Sequence, residues 1–317
     1  VIIVILPRLI KKTLPGALLA LLPFVLIAIT SSLLSLLRGI EPALGISVTA
    51  RVVRGLTTLM IGCAIYLAIT LLPEDKEDLR FTQRWIYYGG AFALFWGSMQ
   101  AIYVLRFDPQ WFSWLSRVQQ YISYRRLLVE RISGLTYEPH WFAEQIIVLL
   151  LPGLLASVIT GYTVFNKRWH WLTFEWLLLI WSVLLLPFTF SRSGVLNLVV
   201  LLGASLVFFY RPGMKDSTQS KYPLQSSILA RLPVKLALAV CLAVIPIYLI
   251  GARNPFFSRV WEYWGQENSS IPEYLSYLGF DARLAFGEAA HNAYLAYPVL
   301  GIGLGNSAFY FEEMLPS

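Results

Sequence analysis

Hydrophobic residues make up 57% of the 317 residues and charged residues only 14%, and the mean hydropathy is +0.63. Soluble domains carry charge on about 25% of their residues, so this chain is short of the polar surface that faces water. A formal charge of +7 would suggest a nucleic-acid partner for a soluble protein, whereas a membrane protein divides its charge between two sides. The composition therefore indicates an integral membrane protein.

The apolar residues cluster in blocks of about 20, the length that a helix needs to cross the hydrocarbon core. We predict an all-α, polytopic transmembrane bundle over 1–250, with a large outer segment of amphipathic helices at 106–138, and an extracytoplasmic region at 251–317. The chain begins on an apolar segment without Met, so we expect further spans upstream. About seven spans are predicted, near 14–37, 48–72, 85–105, 139–165, 171–190, 193–210 and 232–250.

Lysine placement predicts the orientation of these spans. If Lys11 and Lys12 are cytoplasmic, alternation of the spans puts all the remaining lysines on that same side, as the positive-inside rule expects. The outer side then carries arginine but no lysine, and an arginine fork grips phosphate oxygens two at a time. Arg51, Arg54 and Arg192 at the mouths of spans are therefore candidate anion ligands, although arginine also snorkels to lipid headgroups.

The segment Thr189–Gly194 forms a tight polar turn between two predicted spans. Ser191 or Ser193 can cap the following helix, whose first amide groups attract anions. Arg192 adds a fixed positive charge at the same point. The turn suits a lipid diphosphate, although an ordinary polar hairpin would have the same composition.

A second polar segment, 131–140, leads directly into a predicted span. Pro139 suits the first turn of that helix, and Glu138 lies near its favourable N-terminal dipole. Glu138 and His140 are candidate acids or bases, but His140 is equally suited to anchor the helix at the interface. Glu144 lies further into the span, where a carboxylate normally needs a partner.

A third segment, 281–292, combines helical periodicity with polar side chains. Arg283, Gly287 and His291 share one face at helical spacing. The glycines of 301–306 lack the Lys-Ser/Thr of a phosphate loop and follow no βαβ pattern. They predict a tight extracytoplasmic loop instead of a nucleotide site.

These three segments, in this order and on one side, resemble the O-antigen ligase and polymerase family of bacterial membrane glycosyltransferases. The resemblance covers roughly 120–310. The matching residues are R-I-S-G-L-x-x-E-P at 131–139, S-R-S-G at 191–194, Arg283, and the ending P-x-x-G-I-G-L-G-N at 298–306.

The resemblance implies glycan transfer or polymerisation from undecaprenyl diphosphate to a glycan or lipid acceptor, at the outer face of the inner membrane. The donor is already activated, so neither a cofactor nor a metal ion is expected, and no nucleic acid. Arg192 and Arg283 would hold the diphosphate, with Arg51 or Arg54.

The acceptor hydroxyl still needs a base near neutral pH, and Glu138 and His291 are the candidates. The family usually places a catalytic His-Asn pair after its glycine-rich ending. His291 and Asn292 precede that ending, so we expect the family's pair to follow Ser317 in a longer chain.

Two other function classes remain open from the sequence. A transporter or channel for a lipid-linked or anionic solute would need polar groups near the membrane midplane or repeated halves, and beyond Glu144 the spans offer few. A structural assembly subunit would use the outer segment as a docking surface and tolerate the loss of one arginine. The aromatic residues of 261–277 suit interfacial helices or an acceptor groove equally.

Overall fold

The computed structural model describes residues 16–38, 45–71, 73, 75–123, 125–165, 173–209, 270–277 and 279–314. Regular structure within these ranges is helical, which confirms the all-α prediction for the described part of the chain. The predicted span at 232–250 and the aromatic stretch at 261–269 lie outside the described residues. The chain divides into two compact units, unit A (Val1–Leu79 and Gln266–Ser317) and unit B (Arg80–Gly265).

Two helical elements are long and apolar enough to cross a membrane, Val48–Leu71 and Pro139–Thr160. Three shorter apolar stretches are Leu21–Leu37, Phe174–Thr189 and Ser193–Ser205. Among the described residues, therefore, two candidate spans are present, and the predicted number of about seven is not confirmed.

The described helices of unit A are α1 (Gly16–Leu37) and α2 (Val48–Leu71), followed much later in the chain by three more. The ends of α1 and α2 agree with the predicted spans 14–37 and 48–72 to within two residues. The remaining helices of unit A are α9 (Ile271–Tyr277), α10 (Phe280–Ala296) and α11 (Ser307–Met314). A glycine-rich loop, 301–306, directly precedes α11.

Helix α3 (Lys76–Leu105) begins well before the predicted start at 85 and ends where predicted. Its N-terminus is capped by Asp75, whose Oδ1 accepts hydrogen bonds from the amides of Glu77 and Asp78 at 2.8 and 2.9 Å. The acidic side chains of Glu77 and Asp78 also lie at the positive end of the helix dipole. Helix-forming signals therefore extend α3 beyond its apolar part.

The other elements of unit B follow one another with short connections. The predicted outer segment contains α4 (Pro109–Ile122) and then a non-helical stretch over its remainder, so only its first half is helical. The rest are α5 (Pro139–Glu144), a π-helical segment (Gln145–Leu150), α6 (Leu151–Thr160), α7 (Phe174–Leu185), a 3-10 helix (Leu186–Thr189) and α8 (Arg192–Phe209).

The core of unit B surrounds Phe142 of α5, which is fully buried. A Cβ placed on Gly97 of α3 would lie 2.9 Å from both the Phe142 ring and the Leu185 side chain. A Cβ on Gly194 would lie 2.8 Å from that of Ala143. Glycine at these two positions thus allows α3 and α8 to pack closely against α5, which positions the two polar segments described below.

Candidate functional site

One face of α2 lines a cavity of about 610 Å³ in unit A. Arg51 and Arg54 lie at its end near the N-terminus of the helix, and Tyr66 lies at the other end. At 1.5 Å per residue these positions span about 22 Å along the helix. Between them the wall is formed by small and apolar side chains, Gly55, Thr58, Leu59, Gly62 and Cys63. The cavity is therefore cationic at one end and largely apolar along its length.

The glycine-rich loop closes the cationic end of this cavity through Leu304 and Gly305. Arg51 donates from Nη1 to the carbonyl oxygen of Gly305 at 3.2 Å, and its guanidinium lies 5.5 Å from the Phe309 ring centre. Its Nε is buried and has no hydrogen-bond partner among the described residues. Arg51 thus holds the loop with one nitrogen and keeps a second donor unsatisfied.

Arg54 is exposed and lines the same cavity. Within the described ranges its side chain has no carboxylate or hydrogen-bond partner, and no acidic residue lines the cavity. Two guanidinium groups three residues apart on one helix face repel each other unless an anion binds between them. The cavity thus has two cationic side chains at one end and no acidic side chain among its lining residues.

Polar side chains of α1 hold the loop from its other side. Asn306 is fully buried, and its Nδ2 donates to Ser35 Oγ at 2.9 Å and to the carbonyl oxygen of Ile302 at 3.0 Å. Ser32 Oγ accepts from the amide of Leu304 at 3.1 Å. Two buried serines of α1 therefore bind the loop that closes the cavity.

Arg38, which follows α1, contacts the start of the same loop. Its Nη1 donates to the carbonyl oxygen of Gly301 at 3.0 Å, and its guanidinium lies 4.5 Å from the Tyr297 ring centre. Gly301, Gly303 and Gly305 all have positive φ, at 63°, 90° and 71°. Glycine is required for this path because other residues are strained there.

In unit B a buried glutamine holds the R-I-S-G segment. Gln100 of α3 accepts with Oε1 from the amides of Ser133 and Gly134, both at 2.9 Å, and donates from Nε2 to the carbonyl oxygen of Gly134 at 2.9 Å. The amide of Ile132 donates to the carbonyl oxygen of Phe188 at 3.0 Å. The segment is thereby joined to the 3-10 helix that precedes the S-R-S-G turn.

Arg131 begins this segment and is partly buried. Burial, more than any other cause, lowers the pKa of its guanidinium, and the positive charge of Arg125 lowers it further. Both effects disfavour the charged form.

Glu138 forms an ion pair with Arg125, which also lies 4.8 Å from the Tyr137 ring centre. The backbone of Glu138 is extended, with φ −127° and ψ 145°, as expected before a proline. Pro139 is the first residue of α5, which confirms its predicted position. The candidate base Glu138 is therefore held by a cation and not free in a cavity.

The S-R-S-G turn has the predicted capping interaction. Ser191 Oγ accepts from the amide of Gly194 at 3.1 Å and lies 3.0 Å from Ser193 Oγ. Arg192 is the first residue of α8. The preceding Phe190 is buried and has a positive φ of 47°, a conformation that costs a non-glycine residue about 1–2 kcal/mol. Strained residues of this kind cluster at functional sites.

The remaining predicted site residues lie on exposed surfaces. Arg283 and His291 are exposed on α10, and Glu144 and His140 are exposed at either end of α5. His140 packs its ring near Trp141, at 5.9 Å between centres, consistent with an anchoring role. Among the described residues no three His, Cys, Asp or Glu side chains are grouped for metal binding.

The structure brings Arg51 and Arg54 together in unit A, the unit that also contains Arg283 and His291. Arg192 and Glu138 belong to unit B. Sequence reasoning found the arginines and the glycine-rich loop but missed the serines that hold the loop. The sequence does contain a signal for them, because Ser32 and Ser35 are polar, three residues apart, and lie in a helix that is mostly apolar.

Comparison with known proteins identifies one region of the chain. Residues 177–316 match the family model described as O-Antigen ligase. The matched region contains Arg192, Arg283, His291 and the glycine-rich loop, whereas Arg51, Arg54 and Glu138 precede it. No curated protein and no solved structure matches the chain significantly. Segment 177–316 is therefore similar to the O-antigen ligase family, which supports the resemblance found in the sequence.

Proposed function

We propose that this protein is a membrane glycosyltransferase that transfers or polymerises a glycan from undecaprenyl diphosphate, at the outer face of the bacterial inner membrane. The match of 177–316 to the family model supports glycan transfer at a membrane. The observation that supports a lipid diphosphate as the substrate is the cavity lined by α2. Arg51 and Arg54 have no acidic partner there within the described residues, and the remaining wall is largely apolar. A diphosphate fits the cationic end, and a polyprenyl chain fits the apolar length.

The proposed chemistry needs stabilisation of the leaving diphosphate. As the bond from the sugar's anomeric carbon to the phosphate oxygen breaks, negative charge grows on that oxygen, and fixed guanidinium groups stabilise this charge more than the charge of the bound substrate. Arg51 and Arg54 supply this stabilisation in the proposal, together with Arg192 and Arg283, which lie in the family segment. Such a site needs no metal ion and no cofactor.

The acceptor hydroxyl must lose its proton as it attacks the sugar carbon. We propose Glu138 and His291 as the groups to test for this role. His291 is exposed and able to meet a substrate, whereas Glu138 would first have to leave Arg125. His291→Ala and Glu138→Gln in full-length protein should separate the two, because loss of the base lowers transfer while leaving donor binding intact.

The central test compares Arg51→Ala, Arg54→Ala and Arg54→Lys in the full-length protein in membranes. Transfer from a polyprenyl-diphosphate-linked glycan should fall at least tenfold for each alanine variant, because a charge-assisted hydrogen bond contributes about 1.5–3 kcal/mol. Arg54→Lys should recover part of the rate, since it keeps the charge but not the fork. Arg192→Ala and Arg283→Ala should also abolish transfer while leaving membrane insertion intact.

The matched control is Arg117→Ala, which removes an exposed arginine of α4. It should transfer at the unsubstituted rate. Normal glycan products from the Arg51 and Arg54 variants would refute the diphosphate site. Uptake of an anionic solute into liposomes by purified protein, without any glycan product, would favour the transporter reading instead.

A further inference from the structure

A second cavity of about 310 Å³ lies in unit A between α10, α11 and the segment that enters the glycine-rich loop. This volume is at the lower end of the range for small-molecule sites, about 300–1,000 Å³. It suits one small ring and not a long chain. The function described above does not use this cavity.

The lining of the second cavity is aromatic and hydroxylated but uncharged. Three tyrosines (Tyr294, Tyr297 and Tyr310) and Ser307 line it, and no Asp, Glu, His, Lys or Arg lines it among the described residues. A hydrocarbon ligand would leave the buried hydroxyl of Tyr310 without a partner, which costs free energy. An anion would find no cation in the wall.

Two tyrosine rings form a corner of this cavity. The Tyr297 and Tyr310 ring centres are 5.5 Å apart with an interplanar angle of 68°. The Arg38 guanidinium lies over Tyr297 and helps to fix its ring. Tyr310 is 5% exposed, and its hydroxyl has no hydrogen-bond partner among the described residues. A buried, unpaired hydroxyl beside a cavity indicates that a ligand supplies its partner.

The glycine-rich loop borders both cavities. Gly301 and Ile302 line the second cavity, whereas Leu304 and Gly305 line the cationic one. Only Gly303 separates Ile302 from Leu304, so the two walls are at most about 7 Å apart along the backbone. Arg283 lies two turns before Ala290, which lines the second cavity, and on a similar face of α10. A ligand joined to a diphosphate could occupy both cavities.

We propose that the second cavity binds one pyranose ring of a glycan substrate, beside the diphosphate at Arg51 and Arg54. A pyranose ring has apolar C–H faces that pack on tyrosine rings and hydroxyl edges that pair with tyrosine and serine. It is uncharged, as the lining requires, and small enough for the volume. The proposal rests on the glycosyltransferase function for the position of the diphosphate. The ring belongs either to the lipid-linked donor or to the acceptor glycan.

The test uses purified full-length protein in nanodiscs. The probes are farnesyl diphosphate, farnesyl diphosphate carrying N-acetylglucosamine, galactose or rhamnose, and the same three sugars free. Ala290→Trp fills the cavity from an exposed position, and Ala282→Trp, on an exposed position of the same helix outside the lining, is its control. Tyr310→Phe removes the unpaired hydroxyl alone, and Tyr121→Phe, at a 93% exposed position, is its control.

If the ring belongs to the donor, one sugar-bearing farnesyl diphosphate binds more tightly than farnesyl diphosphate itself. Ala290→Trp abolishes this gain, and Tyr310→Phe reduces it about 3- to 10-fold, the effect of one hydrogen bond. If the ring belongs to the acceptor, the same variants weaken binding of a free sugar instead. Both control variants bind as the unsubstituted protein does.

Two results would overturn the proposal. One is that no sugar binds in either form; the other is that Ala290→Trp and Tyr310→Phe bind every sugar probe as the unsubstituted protein does. Binding of farnesyl diphosphate alone reports on folding of the variants and on the cationic cavity. If Arg51→Ala leaves the binding of farnesyl diphosphate unchanged, the proposed diphosphate site is refuted. The free-sugar measurements then still test the proposed pyranose site.

Discussion

Replacing Gly303 by alanine should release the glycine-rich loop from α1. Gly303 has a φ of 90°, and an added Cβ would lie 2.7 Å from Asn306 Nδ2 and 3.2 Å from the Ser32 backbone. The positive φ costs about 1–2 kcal/mol for a residue with a Cβ. Displacing Asn306 from its two hydrogen bonds costs about 1–3 kcal/mol more. The expected destabilisation of Gly303→Ala is therefore about 2–5 kcal/mol.

Gly305→Ala is the matched control for this substitution. Gly305 has a φ of 71°, and an added Cβ would meet nothing within 4 Å. It should show the conformational cost alone, about 1–2 kcal/mol. The assay is the free energy of unfolding of purified full-length protein in detergent, measured for both variants.

A double-mutant cycle with Asn306→Ala separates steric overlap from other effects of the Gly303 substitution. Asn306→Ala removes the atom that the new Cβ would strike. The double variant should therefore be less destabilised than the sum of the single variants, by about 1–2 kcal/mol. Additive destabilisation, or equal effects of Gly303→Ala and Gly305→Ala, would refute the steric reasoning.

Three further predictions concern unit B. Gln100→Leu should destabilise the protein by about 2–4 kcal/mol, because two buried amides and one carbonyl oxygen lose their partner; unfolding in detergent measures this loss. Gly134→Ala places a Cβ 2.6 Å from the Phe142 ring, whereas the Cβ of Gly161→Ala, at a similar positive φ, meets nothing within 4 Å. Gly134→Ala should therefore be the more destabilising of the two by about 1–3 kcal/mol. Equal unfolding midpoints for the two variants would contradict the close packing of Gly134 on Phe142. Glu138→Gln should change stability by under about 1 kcal/mol, since its ion pair with an arginine is partly exposed; a larger loss would mean that this pair organises the segment.

The helices could be predicted from sequence where apolar character and helix length coincide. The predicted spans 48–72 and 193–210 correspond to Val48–Leu71 and Arg192–Phe209. Hydropathy failed at α3, because the turns from Lys76 are charged and carry helix-capping signals instead of apolar ones. Element ends set by capping are invisible to a hydropathy window.

The sequence predicts which charged residues belong to the candidate site, but it does not predict which residues the fold brings together there. Arg51 and Arg54 stand out because they are the charged residues of an otherwise largely apolar helix. That they line a cavity with Leu304 and Gly305 depends on contacts between residues about 250 positions apart. The second cavity was not predictable, since Tyr297 and Tyr310 meet through the fold of α10 and α11. Aromatic residues near a predicted interface look the same in sequence whether they face lipid or a ligand.

The hydrogen bonds between α1 and the glycine-rich loop have a consequence for the order of folding. Asn306 and Ser35 are 271 residues apart, so at translation rates of about 5–20 residues per second the serine waits roughly 15–50 s for its partner. In the folded protein Ser32 Oγ donates to the carbonyl oxygen of Ala28 at 2.7 Å and Ser35 Oγ to that of Ser32 at 2.7 Å, and both bonds lie within α1. Each hydroxyl proton is thus satisfied within the nascent helix, and only the oxygen lone pairs await the loop. Helix α1 can therefore form with its serine protons already paired, and the α2 cavity acquires its loop only when residues 301–306 have been made.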